Sequence, residues 1–335
     1  MIPVSIVTGF LGSGKTTLIR RLLLERGFAR TAVIVNEWGE IGLDHELIAS
    51  SDETLVALTT GCLCCRMRSD VVATLLDLEG RRRAGEIPAY DRVLIETSGL
   101  ADPVPILQAL MADADAAEGH AIDTVVTLVD AQHGAATLER HAEARRQAAV
   151  ADRLVMSKTD IAGRPEALVA RLAVLNPGAA LLEAVKGEIA PEVVFAGSDP
   201  MARVARLASV PGAAGDPFSR GRHAGGIETI LLRRDRPIPA LALAMWVQAL
   251  SEHCGAGLLR LKGLVQVDEQ PDQPAIIHAV QHVVSPAEWL PHWPSAEHCT
   301  CIVIIGEGIP RYFPARLLDA IEEEVRETTI DGGII

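Results

Sequence analysis

Residues Gly9 to Thr16 read GFLGSGKT, a Gly-x-x-x-x-Gly-Lys-Thr run set between an apolar stretch and an amphipathic one. That spacing suits phosphate. Gly12 and Gly14 let the backbone curl so that successive amides point inward at phosphate oxygens, and a helix opening near Lys15 adds its positive end. Lys15 is placed to reach the β- and γ-phosphates and Thr16 to ligate Mg²⁺, with Gly9, Ser13 and Thr17 completing the loop. A glycine turn that merely joins strand to helix is the bland alternative, and the flanking pattern disfavours it.

Three further segments carry chemistry. Glu96-Thr97-Ser98-Gly99 follows a buried-looking strand, which puts a carboxylate at the sheet's carboxyl edge, where Mg²⁺ or its waters would sit. Gly99 then leaves room for its amide to approach a γ-phosphate. Ser157-Lys158-Thr159-Asp160 is similar to the guanine-reading Asn-Lys-x-Asp of GTPases. Asp160 would accept from guanine N1–H and N2–H₂, a pair that adenine does not offer, while the Lys158 stem packs along the base. Ser157 stands where Asn is usual, so one base contact is shortened or lost. Lys15 and Glu96 are therefore the expected catalytic pair.

Cys62, Cys64 and Cys65 lie within four residues, after Gly61 and before Arg66. Three soft donors on one turn suit Zn²⁺ or another borderline ion, and an incomplete set of four suits an ion that must be handed on. A reversible thiol pair, or small buried apolar residues, are the other readings of the same residues.

These loops need a scaffold. Apolar runs at Ile2–Val7, Thr31–Val35, Arg92–Ile95, Thr124–Val129 and Arg153–Met156 read as parallel strands buried on both faces. Helical spacing falls between them at Lys15–Arg26, Ser69–Arg83 and Leu138–Ala149. Arg81-Arg82-Arg83 reads as cations ending a helix. The expected fold is an α/β P-loop NTPase with a mostly parallel sheet, followed by a small C-terminal α+β domain. The boundary falls at a Gly/Pro/Ala-rich stretch, giving 1–210, a linker 211–225 and 226–335. In the second part, strands are expected at 226–232, 258–261, 264–267, 275–284 and 301–305, with helices at 240–252 and 315–324.

Composition narrows the function. Across 335 residues, 31 Lys plus Arg face 44 Asp plus Glu, for a net charge of −13, so a phosphate backbone is repelled and nucleic acid is excluded as a partner. With 5 Phe, 2 Tyr and 4 Trp there are too few aromatics for a base-stacking platform. The opening residues do not resemble a secretory signal and no apolar run reaches membrane-spanning length, which points to a cytoplasmic protein with no membrane partner.

The combination resembles the CobW-like GTP-dependent metallochaperones, relatives of the urease and hydrogenase accessory GTPases. GFLGSGKTT, NEWGEIGLD at 36–44, GCLCC at 61–65, ETSGLADP at 96–103 and SKTD at 157–160 follow the family's order and similar spacing. LLRLKGLVQV at 258–267 and CIVIIG at 301–306 suggest its C-terminal domain. The resemblance implies a GTPase whose CxCC loop binds a transition metal, most often zinc, for a client metalloprotein, with Co²⁺ or Fe²⁺ in other branches. It implies that 36–44 is a switch and that Glu37 or Glu40 adds a carboxylate to the metal. No arginine finger or catalytic glutamine is assignable, so turnover by the chain alone is expected to be slow, with acceleration by a client or by homodimer formation. A small-molecule P-loop kinase and a thiol redox-sensing GTPase are the rival classes. His278 and His282 are expected to share one face of a strand. His298, Cys299 and Cys301 are ligand types for which ordinary packing is expected.

Overall fold

The computed structural model describes residues 1–28, 30–35, 56–59, 67–195, 226–293 and 298–331. They form two compact units, 1–173 with 179–195 and 174–178 with 226–331. The expected linker, 211–225, lies outside the described residues.

In the first unit seven strands form one parallel sheet in the order β3-β2-β4-β1-β5-β6-β7. They are β1 Ile2–Gly9, β2 Thr31–Val35, β3 Val56–Thr59, β4 Arg92–Glu96, β5 His120–Asp130, β6 Arg153–Ser157 and β7 Ala180–Ala184. Five were expected. β1 sits between β4 and β5, so the chain reverses its winding direction there, the position at which open α/β sheets bind ligands. The helices are α1 Lys15–Leu23, α2 Met67–Arg83, α3 Val104–Ala112, α4 Ala114–Gly119, α5 Gly134–Arg140, α6 Ala142–Ala149, α7 Thr159–Ala162, α8 Glu166–Leu175 and α9 Pro191–Phe195. Leu18, Ile19 and Leu22 of α1 pack with Val7, Val33, Leu94 and Val126 of the sheet. The helix expected over 138–149 is two, because His141 is extended at φ −118°, ψ 118° and re-aims the chain between α5 and α6.

The arginines at the end of α2 do more than meet a helix dipole. Arg82 and Arg83 both bond the carboxylate of Glu79 at 2.7–2.8 Å, and the Tyr90 hydroxyl donates to it at 3.4 Å. The Arg82 hydrogen bonds bring Glu79 down from 4.5 to about 2. A lowered carboxyl stabilises the fold fully above its unfolded value and loses that contribution as pH falls through the folded one. Glu79→Gln is therefore expected to lower Tm by several degrees at pH 7, for a loss on the order of 2 kcal/mol after discounting exposed Arg83. Thermal melts of the two proteins should converge between pH 4.5 and about 2.

In the second unit β8 Ile227–Arg234, β9 Leu258–Val267, β10 Gln270–Val280, β11 Val283–Val284 and β13 Thr300–Glu307 form an antiparallel sheet in the order β11-β10-β9-β13-β8, with β12 Glu288–Trp289 on β10. Helices α10 Ala240–Cys254 and α11 Phe313–Asp331 complete an α+β layer. Trp246 is fully buried among them and donates to the Pro314 carbonyl at 2.8 Å. Two expectations change. β9 is one strand rather than two, because Gly263 sits where a Cβ would meet Ile302 at 2.6 Å and leaves room for β13 instead of ending the strand. The strand expected over 275–284 is a hairpin turned at Gln281, φ +51°, so His278 and His282 do not share a strand face. Among the described residues no helix is long and apolar enough to cross a membrane.

Candidate functional site

Parallel pairing brings the strand ends that carry Gly9, Glu96 and Ser157 to one sheet edge. Val7 lies opposite Glu96, Gly9 opposite Leu128, Asp130 opposite Ser157, and Ser157 opposite Ala184. Gly9, Gly12 and Gly14 have φ of 141°, 72° and 95°, the conformations that glycine takes at no steric cost. At Gly9 no other side chain fits, since a Cβ would lie 2.5 Å from the Leu128 carbonyl oxygen. Gly14 caps α1 without a side chain, so that end of the helix faces the loop's concavity. Lys15 is buried, and its Nζ donates to the carbonyls of Gly9 at 2.9 Å and Phe10 at 3.2 Å, which fixes a cation at the loop's mouth.

Beside it, Thr16 Oγ1 donates to Glu96 Oε1 at 3.0 Å, and Glu96 is fully buried. Two hard oxygens at this separation, next to a phosphate cradle, are the donor chemistry that Mg²⁺ takes, so the residues fit that ion. Thr97 pins β4 to β1 through a 2.7 Å bond between its hydroxyl and that of Thr8. Gly99 runs against the glycine loop. A Cβ there would stand 2.7 Å from the Leu11 amide nitrogen.

Ser157 is engaged by the phosphate loop. Its hydroxyl donates to the Ser13 carbonyl at 2.7 Å, which ties the Ser157–Asp160 turn to the phosphate loop. Lys158 holds the left-handed conformation, φ 60°, uncommon for a residue with a Cβ and a mark of local constraint. Its Nζ bonds Asp130 Oδ2 at 2.7 Å, while Asp130 Oδ1 accepts from the amides of Gln132 and His133. Burial pushes the Asp130 carboxyl up, but the Lys158 bond and the two amides outweigh it and hold the group below its usual range. Asp160 is exposed in the first turn of α7. A cavity of about 210 Å³ is lined by Gly12, Ser13, Asp130 and Lys158 together with Leu138 and Gln147.

Two features escape a sequence reading. The turn after β7 places Lys186 at φ 52° and Gly187 at φ 78°, and a Cβ on Gly187 would lie 2.9 Å from the Thr17 carbonyl, so this turn closes on α1 beside Ser157. Gln147, fully buried on α6, bonds the carbonyls of Gly99 and Ala101. Neither belongs to a spaced motif.

Glu37, Glu40, Cys62, Cys64 and Cys65 lie outside the described residues. β2 ends at Val35, paired with Glu96 of β4, and β3 ends at Thr59, paired with Val35. Both segments thus leave the sheet at the edge that carries Glu96. Among the described residues no group of three or more His, Cys, Asp or Glu is placed to hold a metal. His298 stacks on Trp293 at 4.8 Å, and burial pushes the Cys301 thiol up to about 11.

Residues 3–183 match the family model described as CobW/HypB/UreG, nucleotide-binding domain, and residues 227–323 match the cobalamin synthesis protein cobW C-terminal domain. The zinc chaperone YjiA of Escherichia coli (strain K12) is 32% identical over 325 residues, covering 97% of this chain and 96% of that protein. The zinc-regulated GTPase metalloprotein activator 1 of Schizosaccharomyces pombe is 32% identical over 197 residues, covering 56% of this chain and 47% of that protein. The crystal structure of Zn(II)-bound YjiA GTPase from E. coli superposes with a TM-score of 0.71 at 27% identity, covering 96% of this chain and 98% of that one.

Proposed function

The chain belongs to the CobW/HypB/UreG family of nucleotide-binding proteins, and from that premise we propose that it is a GTP-hydrolysing metallochaperone that carries zinc on Cys62, Cys64 and Cys65 and passes it to a client metalloprotein. The observation that supports this most is the shared edge: β2, β3 and β4 end side by side, so the chain enters the 36–44 segment, the cysteine loop and the Glu96 loop from three adjacent strands.

The phosphate loop binds the triphosphate through its amides, and the Lys15 ammonium neutralises charge on the bridging and γ-oxygens as the bond to the leaving diphosphate breaks. Thr16 and Glu96 would hold Mg²⁺, which supplies further charge neutralisation when bound. Ser157 keeps the base-reading turn in register with the phosphate loop, and Asp160 is free of the sheet to accept from guanine. With Ser157 spent on the Ser13 carbonyl, guanine selectivity falls chiefly to Asp160. Zinc is cargo. Glu37 is proposed to add a carboxylate to the three thiolates, so a segment ordered by the γ-phosphate would also bear a metal ligand.

Such coupling is reciprocal by thermodynamic necessity. Zinc titrated against a chelating dye with a non-hydrolysable GTP analogue or with GDP should give affinities differing by about 5- to 150-fold, and zinc should shift the nucleotide preference by the same factor. Identical zinc affinity in both nucleotide states would refute the coupling.

A further inference from the structure

Helix α6 touches both loops that face the phosphates. His141, which precedes it, packs against Phe10 of the glycine loop with ring centroids 4.4 Å apart and the rings tilted by 31°. Toward its other end, Gln147 Nε2 donates to the carbonyls of Gly99 at 3.1 Å and Ala101 at 2.9 Å. The reverse amide orientation would set an oxygen against two carbonyl oxygens, so the chemistry fixes which end of the carboxamide faces the loop. Arg146 adds a bond to Asp102 Oδ2 at 3.1 Å, and the other oxygen of that carboxylate accepts from the Val104 amide at the start of α3. Thr127 Oγ1 donates to the Gln147 carbonyl at 2.8 Å and ties the helix to β5.

Peptide planarity makes these bonds directional. Holding the Gly99 and Ala101 carbonyls fixes two of the peptide planes in the short turn between β4 and α3, and with them the directions of the following amides. The loop runs against Leu11 of the glycine loop, where a Cβ on Gly99 would stand 2.7 Å from the Leu11 amide nitrogen.

We propose that Gln147 is a positioning residue for GTP hydrolysis, setting the peptide orientations of the Gly99–Asp102 loop from a helix whose other end is registered on the phosphate loop through His141 and Phe10. The proposal rests on reading that loop as the one that meets the γ-phosphate. A diphosphate does not engage it, so Gln147 acts on triphosphate affinity and turnover and leaves diphosphate affinity alone.

The test uses the full chain, fluorescent GDP, a fluorescent non-hydrolysable GTP analogue and single-turnover hydrolysis. Gln147→Met, similar in size and without donors, should slow hydrolysis about tenfold, the worth of two neutral hydrogen bonds, with GDP affinity within about twofold of the parent. Gln147→Glu can donate one of the bonds only while its carboxyl is protonated, a state that burial and two facing carbonyl oxygens favour, so its hydrolysis should fall further as pH rises. Gln147→Met should show no such pH response. If the buried substitutions do not fold, Arg146→Met removes the bond to Asp102 from a part-exposed position and should give a smaller loss of the same selectivity. Gly99→Ala separates the two readings. Should it leave the triphosphate-to-diphosphate preference unchanged, the loop assignment fails. Should it change that preference while Gln147→Met hydrolyses GTP like the parent, or loses GDP and GTP-analogue affinity in parallel, Gln147 has no positioning role.

Discussion

Lys15→Ala is expected to lower kcat/KM for GTP by about a thousandfold or more and to leave the protein folded. The ammonium is buried at the mouth of the glycine loop and held by two backbone carbonyls, so it meets the phosphates already desolvated, with little reorganisation. Charge placed that way in a water-poor site is worth far more than the same charge in water. The cost to the fold is small by the same geometry. Alanine abolishes two bonds to carbonyls at the rim of the sheet and also removes a buried charge, and neither change touches the Leu18, Ile19 and Leu22 face that packs α1. Isothermal titration with GTP and a circular-dichroism melt separate the two effects. Binding within tenfold of the parent would mean that the loop amides alone hold the nucleotide.

The sheet was legible where the sequence is β-branched. TAVIV, RVLIE and RLVMS admit little but buried strand, and each is one. β7, ALLEA, escaped because alanine, leucine and glutamate favour helix, and only its pairing with β6 overrides that preference. The four residues of β3 are too few for periodicity to register. Gly263 and Gln281 misled in opposite directions. The glycine looked like a break and is a close approach between strands, whereas the glutamine looked like strand and takes the left-handed turn. The glycine loop's backbone could be read because one contiguous motif makes fixed conformational demands. Gln147 could not, since its partners are backbone carbonyls 46 and 48 residues away, and a carbonyl leaves no trace in residue identity. Ser157's bond to the Ser13 carbonyl belongs to the same class, since its partner is again a backbone carbonyl, 144 residues away.

Cys65→Ser is expected to weaken zinc binding by at least about a hundredfold, a larger loss than Glu37→Gln, because a thiolate is the softer and stronger donor to a borderline ion. A serine hydroxyl does not ionise near neutral pH, so the substitution removes a ligand as well as a preference. That gives a second signature. Each thiol that binds zinc must first lose its proton, so affinity rises with pH below the thiol range, with a slope set by the number of protons released. Three cysteines in the loop allow three such protons, and Cys65→Ser should lower the slope by about one while Glu37→Gln leaves it nearly unchanged, since a carboxylate is already ionised. Dye-competition titrations between pH 6 and 8 measure both quantities. An unchanged slope with weakened affinity would place Cys65 beside the ion and not on it. If neither affinity nor slope changes, zinc is held elsewhere, and the three strands converging on the Glu96 edge would then serve nucleotide chemistry alone.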